Sequence, residues 1–253
     1  MARTISIINE KGGTGKTTTA VSLGAFLAKF GNKVLLVDLD PQCNATISLG
    51  FSPKKTPLSL YHSLSEEVPL EGVIKNTSLF NFDIVPATQD LAGSSVELLN
   101  EEDRERILSK ILSSVDKKYD FILLDPPPSL GILTINSLLA ANELIIPIQC
   151  EFFALKSLEQ LFEIINLLEK NVGKSFKEIS ALLTMYDKRN ILSREIVKKT
   201  REIFPGKVFN SIIPRSIKLA ESPKFGKTIF QYAPDSKAAR AYEMLAEEII
   251  KNK

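Results

Sequence analysis

A glycine-rich segment near the amino terminus constrains the fold more than any other feature of this sequence. Residues 10–18 read Glu-Lys-Gly-Gly-Thr-Gly-Lys-Thr-Thr; they follow an apolar run at 5–8 and open a stretch of helical periodicity at 16–30. Strand, glycine loop and helix in this order are typical of a phosphate-binding loop, in which backbone N–H groups and the helix N-terminus face phosphate oxygens. The segment therefore predicts an α/β fold with a phosphate-bearing ligand beside residue 16.

Short apolar runs alternate with longer helical segments along the rest of the chain. The predicted strands are 5–8, 34–38, 82–85, 121–125, 144–148, 179–184 and 208–213, and the predicted helices are 16–30, 104–115, 153–171, 193–204 and 236–251. Because the runs are rich in Ile, Val and Leu, they suit parallel strands that are buried on both faces. We predict one domain over residues 1–253, a doubly wound, mostly parallel twisted sheet flanked by helices, with an insertion at 50–80.

Composition argues against membrane-spanning, secreted and disulfide-bonded classes of protein. No apolar run approaches the length of a transmembrane helix, and the N-terminus lacks the layout of a signal peptide. Cys43 and Cys150 form neither a disulfide framework nor a metal-ligand pattern, and His62, the only histidine, lies in a polar stretch that we predict to be a loop. We therefore expect a cytoplasmic protein without a histidine-based metal site or catalytic triad.

Charge is unevenly distributed along the chain. Residues 1–150 carry 13 Lys and Arg against 17 Asp and Glu, whereas residues 151–253 carry 19 against 13. A basic carboxyl-terminal part fits an anionic partner, either nucleic acid or a membrane, but an ordinary solvated surface would have the same composition.

Each polar residue of the glycine loop suits one part of a nucleoside triphosphate. Lys16 would reach the β- and γ-phosphates, the Thr17 hydroxyl would coordinate Mg²⁺ directly, and Thr18 would bond the α-phosphate. The ordinary pattern begins with glycine, but here that position is Glu10, and a second lysine, Lys11, precedes the glycines. The predicted nucleotide-binding residues of the loop are Lys11, Gly12, Gly13, Thr14, Gly15, Lys16, Thr17 and Thr18.

Two of the predicted strands end in carboxylates. The strand at 34–38 ends in Asp38, with Asp40 two residues later, and the strand at 121–125 ends in Asp125. An aspartate after an apolar strand beside a phosphate loop holds Mg²⁺ directly or through water, although a lone aspartate would equally suit a strand-end cap. We predict that Asp40 and Asp125 face the metal through water.

The chain resembles the ParA/Soj branch of the deviant-Walker P-loop ATPases, which position chromosomes and plasmids. The resemblance covers nearly the whole length, and its segments are 11–18, 38–46, 125–131, 149–155, 184–187 and 213–223. The sequence departs from the family pattern at Pro126, where a small residue or cysteine is usual, at Ser216, where asparagine is common, and at Lys218, where arginine is common.

The resemblance implies an ATPase with ATP and Mg²⁺ as cofactors and a slow hydrolysis that a partner stimulates. Two ATP-bound subunits would face each other as a homodimer. Lys11 of each would contact the other's phosphates, in the role that an arginine finger has elsewhere. Lys11, Lys16 and Asp40 would be catalytic, with Asp40 positioning the attacking water, and Glu151 would reach the partner's nucleotide. Adenine contacts are implied for Met185, Pro214 and Ser216.

The resemblance also implies partners. Positions matching Arg189 and Lys218 form a dimer-dependent, sequence-independent DNA surface in the family, and the nearby Arg215, Lys224 and Lys227 are further candidates, although any of them could be a solubility charge. A ParB-type centromere-binding protein and a nucleoid-associated location are implied as well.

Two alternatives share the ATPase core. A MinD-like membrane-associated regulator would need a C-terminal amphipathic helix with bulky apolar residues opposite lysines, but residues 236–251 include Glu243, Glu247 and Glu248 and lack Phe and Trp. We therefore expect no membrane contact. A metabolic P-loop enzyme would need cluster-ligating cysteines or an acceptor site, and neither is evident in the sequence.

Overall fold

Eight strands form one sheet in the computed structural model, which describes residues 1–65, 68–98, 101–151 and 156–251. The strands are β1 (Arg3–Ile7), β2 (Val34–Asp38), β3 (Lys75–Asn76), β4 (Phe82–Val85), β5 (Phe121–Asp125), β6 (Glu143–Gln149), β7 (Glu178–Thr184) and β8 (Lys207–Val208). Their spatial order is β3-β4-β2-β5-β1-β6-β7-β8, and the neighbours are parallel except for β3 on β4. The predicted doubly wound, mostly parallel sheet is confirmed.

The described chain has twelve α-helices, of which the last three follow the final strand. They are α1 (Lys16–Lys29), α2 (Asn44–Ser48), α3 (Leu60–Ser65), α4 (Leu70–Val73), α5 (Leu91–Glu97), α6 (Ile107–Leu112), α7 (Ile132–Ala140), α8 (Lys156–Val172), α9 (Ile191–Ile203), α10 (Ile217–Glu221), α11 (Ile229–Tyr232) and α12 (Lys237–Lys251). None of the described helices has the length and apolarity that crossing a membrane requires.

The central strands are buried on both faces, which explains their unbroken apolar runs. Every residue of β2 and β5 is buried. Along β2, Leu35 and Val37 pack into one core cluster while Val34 and Leu36 pack into the other, because successive side chains of a strand point to opposite faces. The sheet therefore has two cores, and polar side chains appear where its strands end.

Helix α1 is held closely against one face of the sheet. It ends at Lys29, and Gly31, two residues later, has a left-handed backbone (φ +85°) that does not continue the helix. A side chain at Gly24 would clash, since a Cβ there would lie 2.5 Å from the Phe82 ring. This close contact fixes the direction in which α1 leaves the glycine loop.

Helix α12 covers the outer face of α1. Its buried residues are Ala238, Ala239, Ala241, Tyr242, Leu245, Ala246 and Ile249. The Tyr242 hydroxyl lies 3.1 Å from the Thr19 hydroxyl, inside this contact. The C-terminal helix therefore packs on the domain, and its apolar face is already occupied.

The structure differs from the sequence-based expectations in several places, among them α7 (Ile132–Ala140), which was not predicted, and the helix expected at 104–115, of which only α6 (Ile107–Leu112) is α-helical. The strand expected at 208–213 is only the two residues of β8, because Asn210 N and Ser211 N donate to the Glu248 carboxylate instead of pairing with β7. The short antiparallel β3 was not predicted. His62 lies in α3 and not in a loop. The predicted helix at 153–171 corresponds to α8, but its first three residues lie outside the described residues.

Candidate nucleotide site

The glycine loop connects β1 to α1 at the carboxyl edge of the sheet. Gly13 and Gly15 have left-handed backbones, with φ +74° and +94°, which a residue with a side chain adopts only at a cost. Gly15 is also the N-cap of α1, and no side chain there caps the helix. The first N–H groups of α1 are thus left for a ligand, and the helix dipole favours an anionic one.

Two neighbouring strand ends hold the carbonyls of this loop. Gln149 Nε2 at the end of β6 donates to the Gly13 carbonyl at 2.7 Å, and Thr184 Oγ1 at the end of β7 donates to the Thr14 carbonyl at 2.9 Å. In a trans peptide the N–H points away from the preceding carbonyl. The N–H groups of Thr14 and Gly15 are therefore turned to the opposite side of the loop, which forms an anion-binding nest.

Lys16 and Asp125 form the charged floor of the site. Lys16 is 8% exposed; burial lowers the pKa of its ammonium, and Asp125 and Asp40 oppose that shift. Burial and the neighbouring Asp38 raise the pKa of Asp125 well above its usual range, and the ammonium of Lys16 opposes that shift. Neither carboxylate oxygen of Asp125 has a hydrogen-bond partner in the described part of the chain.

Unpartnered buried carboxylate oxygens beside Lys16 and Thr17 fit a hydrated Mg²⁺, which prefers oxygen ligands and keeps several waters. The predicted set for the metal, Thr17, Asp40 and Asp125, is brought together here. Asp40 is 8% exposed and lines the same cavity as Thr17. Its Oδ1 accepts from Gln42 N at 2.9 Å, which holds the carboxylate in place.

Asp38 has a different environment from that of Asp125. It accepts hydrogen bonds from Thr46 N at 2.8 Å, Thr46 Oγ1 at 2.7 Å and Asp40 N at 3.2 Å. Burial still raises its pKa, to about 6. The hydrogen bonds that Asp38 accepts hold the start of α2 against the end of β2. They thereby position Asp40, which lies between the two elements.

Two adjoining cavities open beside the loop. The first, of about 440 Å³, is lined by the loop residues Gly12, Gly13, Gly15, Lys16, Thr17 and Thr18 together with Asp40 and Asn44. The second, of about 250 Å³, is mainly apolar and is lined by Met185, Ile213, Pro214, Ser216, Leu219 and Tyr242. Gly15, Thr18 and Met185 line both. A polar phosphate compartment next to an apolar compartment suits a purine nucleotide.

The predicted adenine contacts Met185, Pro214 and Ser216 thus lie around one cavity. A parallel β-bridge joins Pro214, which lines this cavity, to Tyr186. Leu219 and Tyr242 line it too, but they were not predicted; Tyr242 is more than fifty residues from Met185 and follows helical core spacing, so the sequence gives no signal of this role.

Lys11 lies at the rim of the phosphate compartment. Its Nζ donates to Gln149 Oε1 at 2.8 Å and is 3.6 Å from Oε2 of Glu151, whose other carboxylate oxygen, Oε1, lies 3.7 Å from Arg215. The Lys11 side chain is 36% exposed and that of Glu151 49%. Lys11 is therefore outside the cradle that Lys16 occupies. Residues 152–155 of the matching segment lie outside the described residues.

The predicted basic surface is exposed, and three of its five members are ion-paired. Arg189 makes a bidentate contact to Asp187, Arg215 is near Glu151, and Lys218 is 3.4 Å from Glu221. Lys224 and Lys227 are exposed on the turn and loop that follow α10. Exposed pairs of this kind are weak, so a phosphate backbone could compete for these cations.

Comparison with known proteins identifies similar chains. Residues 2–178 match the AAA domain family. The chain is 46% identical over 250 residues to the chromosome-partitioning ATPase Soj of Treponema pallidum, covering 99% of this chain and 98% of that protein. It is 42% identical over 252 residues to the sporulation initiation inhibitor protein Soj of Bacillus subtilis, covering 100% of both.

A solved structure agrees in fold over the whole chain. The crystal structure of cobyrinic acid a,c-diamide synthase from Mycobacterium smegmatis, with bound ATP analog and magnesium, superposes with a TM-score of 0.86 and 34% sequence identity. The match covers 100% of this chain and 96% of that chain. The two Soj proteins are more similar in sequence than this synthase.

Proposed function

We infer that this chain, a member of the AAA domain family and within it of the Soj and ParA chromosome-partitioning ATPases, is an ATP-dependent switch. We propose that it dimerises, binds DNA without sequence preference and drives the partitioning of a chromosome or plasmid. The observation that carries this inference is the pair of lysines in one glycine loop. Lys16 is buried on the floor of the phosphate cavity, whereas Lys11 is at its open rim.

The floor of the cavity supports the hydrolysis of ATP. Lys16 and the N–H groups of the loop would bind the β- and γ-phosphates, and Thr17 would ligate Mg²⁺ with Asp125 behind it. Mg²⁺, when bound, neutralises charge on the phosphate oxygens. Asp40, held by Gln42 N, would orient the water that attacks the γ-phosphorus in line with the leaving ADP.

The open rim supports dimerisation. Lys11 and Glu151 are exposed next to the phosphate cavity, and the charge of Lys16 already serves the subunit's own phosphates. A second subunit placed against this rim would bring Lys11 to the partner's γ-phosphate, where one cation accelerates phosphoryl transfer by about 10³–10⁵-fold in other P-loop enzymes. We propose Lys11, Lys16 and Asp40 as the catalytic residues.

The basic surface supports a DNA partner. Arg189, Arg215, Lys218, Lys224 and Lys227 are all exposed on segments that follow β7 and β8 at the carboxyl edge. Such cations contact phosphates without reading bases, and a dimer would double their number. We propose that this surface holds the ATP-bound dimer on the nucleoid within the cytoplasm, and that a ParB-type centromere-binding protein stimulates hydrolysis.

The membrane-associated alternative has less support. The apolar face of α12 is packed on α1 and contributes Tyr242 to the hydrogen bond with Thr19. A helix that is already buried on its apolar side has none left to insert into a lipid interface.

Sizing by light scattering, with ATP, with ADP and without nucleotide, tests the switch. Wild type should be monomeric except with ATP. Asp40→Ala should dimerise with ATP and fail to hydrolyse it, whereas Lys11→Gln should bind ATP as a monomer and neither dimerise stably nor hydrolyse. A Lys11→Gln protein with wild-type dimerisation and turnover would overturn the proposal.

Titration of random-sequence duplex DNA at several salt concentrations tests the surface. Arg189→Glu should abolish binding by the ATP dimer without changing the dimer itself. For each neutralised cation the log–log salt slope should fall by about 1 per subunit, hence about 2 per dimer. Lys117→Glu, an exposed charge that precedes β5 on the opposite edge, is the matched control. DNA binding of equal strength without nucleotide would contradict the switch.

A further inference from the structure

Gln149 uses its whole side-chain amide to connect three parts of the site. It is the last residue of β6 and is 7% exposed. Its Oε1 accepts from Lys11 Nζ at 2.8 Å, while its Nε2 donates to the Gly13 carbonyl at 2.7 Å and lies 3.3 Å from the Met185 sulfur. A primary amide has one acceptor and two donor hydrogens, so each of its groups has a partner here.

These contacts hold the Lys11 ammonium against residues of its own subunit. The Gln149 carbonyl that accepts from Lys11 belongs to an amide whose nitrogen is bonded to Gly13 of the same loop. The Glu151 carboxylate, 3.6 Å away, attracts the same ammonium. A hydrogen bond from a charged donor is stronger than one between neutral groups. Lys11 must break it before its ammonium can move to phosphates outside the subunit.

We propose that Gln149 is a positioning residue that retains Lys11 in its own subunit, so that dimerisation requires each subunit to release Lys11 from Gln149. The inference rests on the proposed function, because the acceptor that replaces Gln149 is the partner's nucleotide. Dimerisation would break two Lys11–Gln149 hydrogen bonds, one in each subunit, and replace them with contacts between Lys11 and the partner's phosphates. Because those contacts exist only when both subunits carry a triphosphate, Gln149 opposes dimerisation at low ATP occupancy.

Thr184 provides a natural control for this role. It is the residue paired with Gln149 in the β6–β7 register, and it holds the next carbonyl of the loop, that of Thr14, at 2.9 Å. No hydrogen bond joins Thr184 to Lys11 among the described residues. Thr184→Val therefore removes a support of the loop while leaving the contacts of Lys11 intact.

Two substitutions at Gln149 separate its two tasks. Gln149→Met and Gln149→Glu both lose the donor to Gly13, so both should bind ATP more weakly. They differ at Lys11, because methionine offers no oxygen acceptor while glutamate offers a charged one. The retention of Lys11 should therefore be abolished by methionine and strengthened by glutamate.

The measurement is the dimer dissociation constant by sedimentation equilibrium with a non-hydrolysable ATP analogue that saturates each variant, so that differences in nucleotide affinity cancel. Gln149→Met should dimerise about tenfold more tightly than wild type, and Gln149→Glu about tenfold less tightly. Thr184→Val should bind nucleotide more weakly but stay within about twofold of the wild-type dimer constant.

Shifts in the same direction for both Gln149 variants, or no shift in either, would overturn the retention of Lys11. Lys11→Gln in the same assay separates this from the proposed function: if it dimerises like wild type, the trans lysine itself is wrong. If Lys11→Gln fails to dimerise while the Gln149 variants match wild type, only the role of Gln149 fails. Gln149→Ala replaces Gln149→Met should the latter not fold.

Discussion

Asp38 and Asp125 are adjacent residues at the ends of two neighbouring strands, yet they have opposite surroundings. They are Cα partners in the β2–β5 register, and both are fully buried. Asp38 accepts three hydrogen bonds, two of them from Thr46, whereas the oxygens of Asp125 have no partner among the described residues. A buried carboxylate whose oxygens accept hydrogen bonds within the chain stabilises the fold. A buried carboxylate whose oxygens have no such partner is available to a ligand.

The largest expected effect concerns function at Asp125. With Asp125 behind Thr17 and Mg²⁺ as proposed, Asp125→Asn should lower ATP hydrolysis about 100-fold, because that carboxylate loses its charge. The nucleotide-free protein should remain folded. Steady-state hydrolysis over a range of Mg²⁺ concentrations is the measurement, and turnover within threefold of wild type would remove Asp125 from the metal site.

The next effect concerns stability at Asp38. Asp38→Ala should lower the free energy of unfolding by about 2 kcal/mol, because the N–H and hydroxyl of Thr46 lose their acceptor in the interior. Asp125→Ala, the matched control, should leave the stability of the nucleotide-free protein unchanged or higher, since it removes an unsatisfied buried carboxylate. Urea unfolding measures both. Equal destabilisation by the two substitutions would break the comparison.

The pH dependence of stability sharpens the comparison further. Burial raises the pKa of Asp38 from 3.8 to about 6 and raises that of Asp125 well above its usual range. Between pH 4 and pH 6 the folded chain holds protons that the unfolded chain has released, so stability falls as pH rises, by on the order of 2 kcal/mol from Asp38 alone. Asp187, whose pKa its contact with Arg189 lowers to about 2, acts with the opposite sign only below about pH 4.

Urea unfolding of the nucleotide-free protein from pH 4.5 to 7.5 is the measurement of this dependence. Asp125→Asn should show a shallower fall than wild type, because one of the two buried carboxylates no longer titrates. A wild-type stability that rises over this range would contradict the raised pKa values of the pair.

The smallest expected effect is the loss of stability when one hydrogen bond to Asp38 is removed. Thr46→Val removes the hydroxyl that donates to Asp38 at 2.7 Å and accepts from Ala87 N at 2.9 Å, but it keeps the backbone bond to Asp38. The loss should be about 1 kcal/mol. The same urea unfolding experiment detects it. If Thr46→Val is as destabilising as Asp38→Ala, the backbone bond contributes little.

Local sequence predicted most of the sheet and the phosphate loop. The runs at 34–38, 82–85 and 121–125 coincide with β2, β4 and β5. A strand buried on both faces needs an unbroken apolar run, and a loop that follows a strand and opens a helix needs left-handed glycines. Both requirements act over a few neighbouring residues, so the sequence displays them directly.

The predicted strand at 208–213 was mostly wrong because its hydrogen bonds depend on a distant part of the chain. The apolar residues there suited a strand, but the carboxylate of Glu248, on the distant helix α12, takes the N–H groups of Asn210 and Ser211. Which acceptor a backbone N–H finds depends on what the fold brings beside it, and periodicity carries no information about it.

The sequence by itself determined the fold class, the lysines of the loop and the carboxylates at the strand ends. Only the tertiary structure decided how these groups differ. Gln149 and Thr184 are 136 and 170 residues from the loop carbonyls that they hold, and Asp38 is satisfied while Asp125 is not. Hydrogen bonding and burial depend on atoms that meet in space, so residues of one type acquire different roles only when the strands are aligned in the sheet.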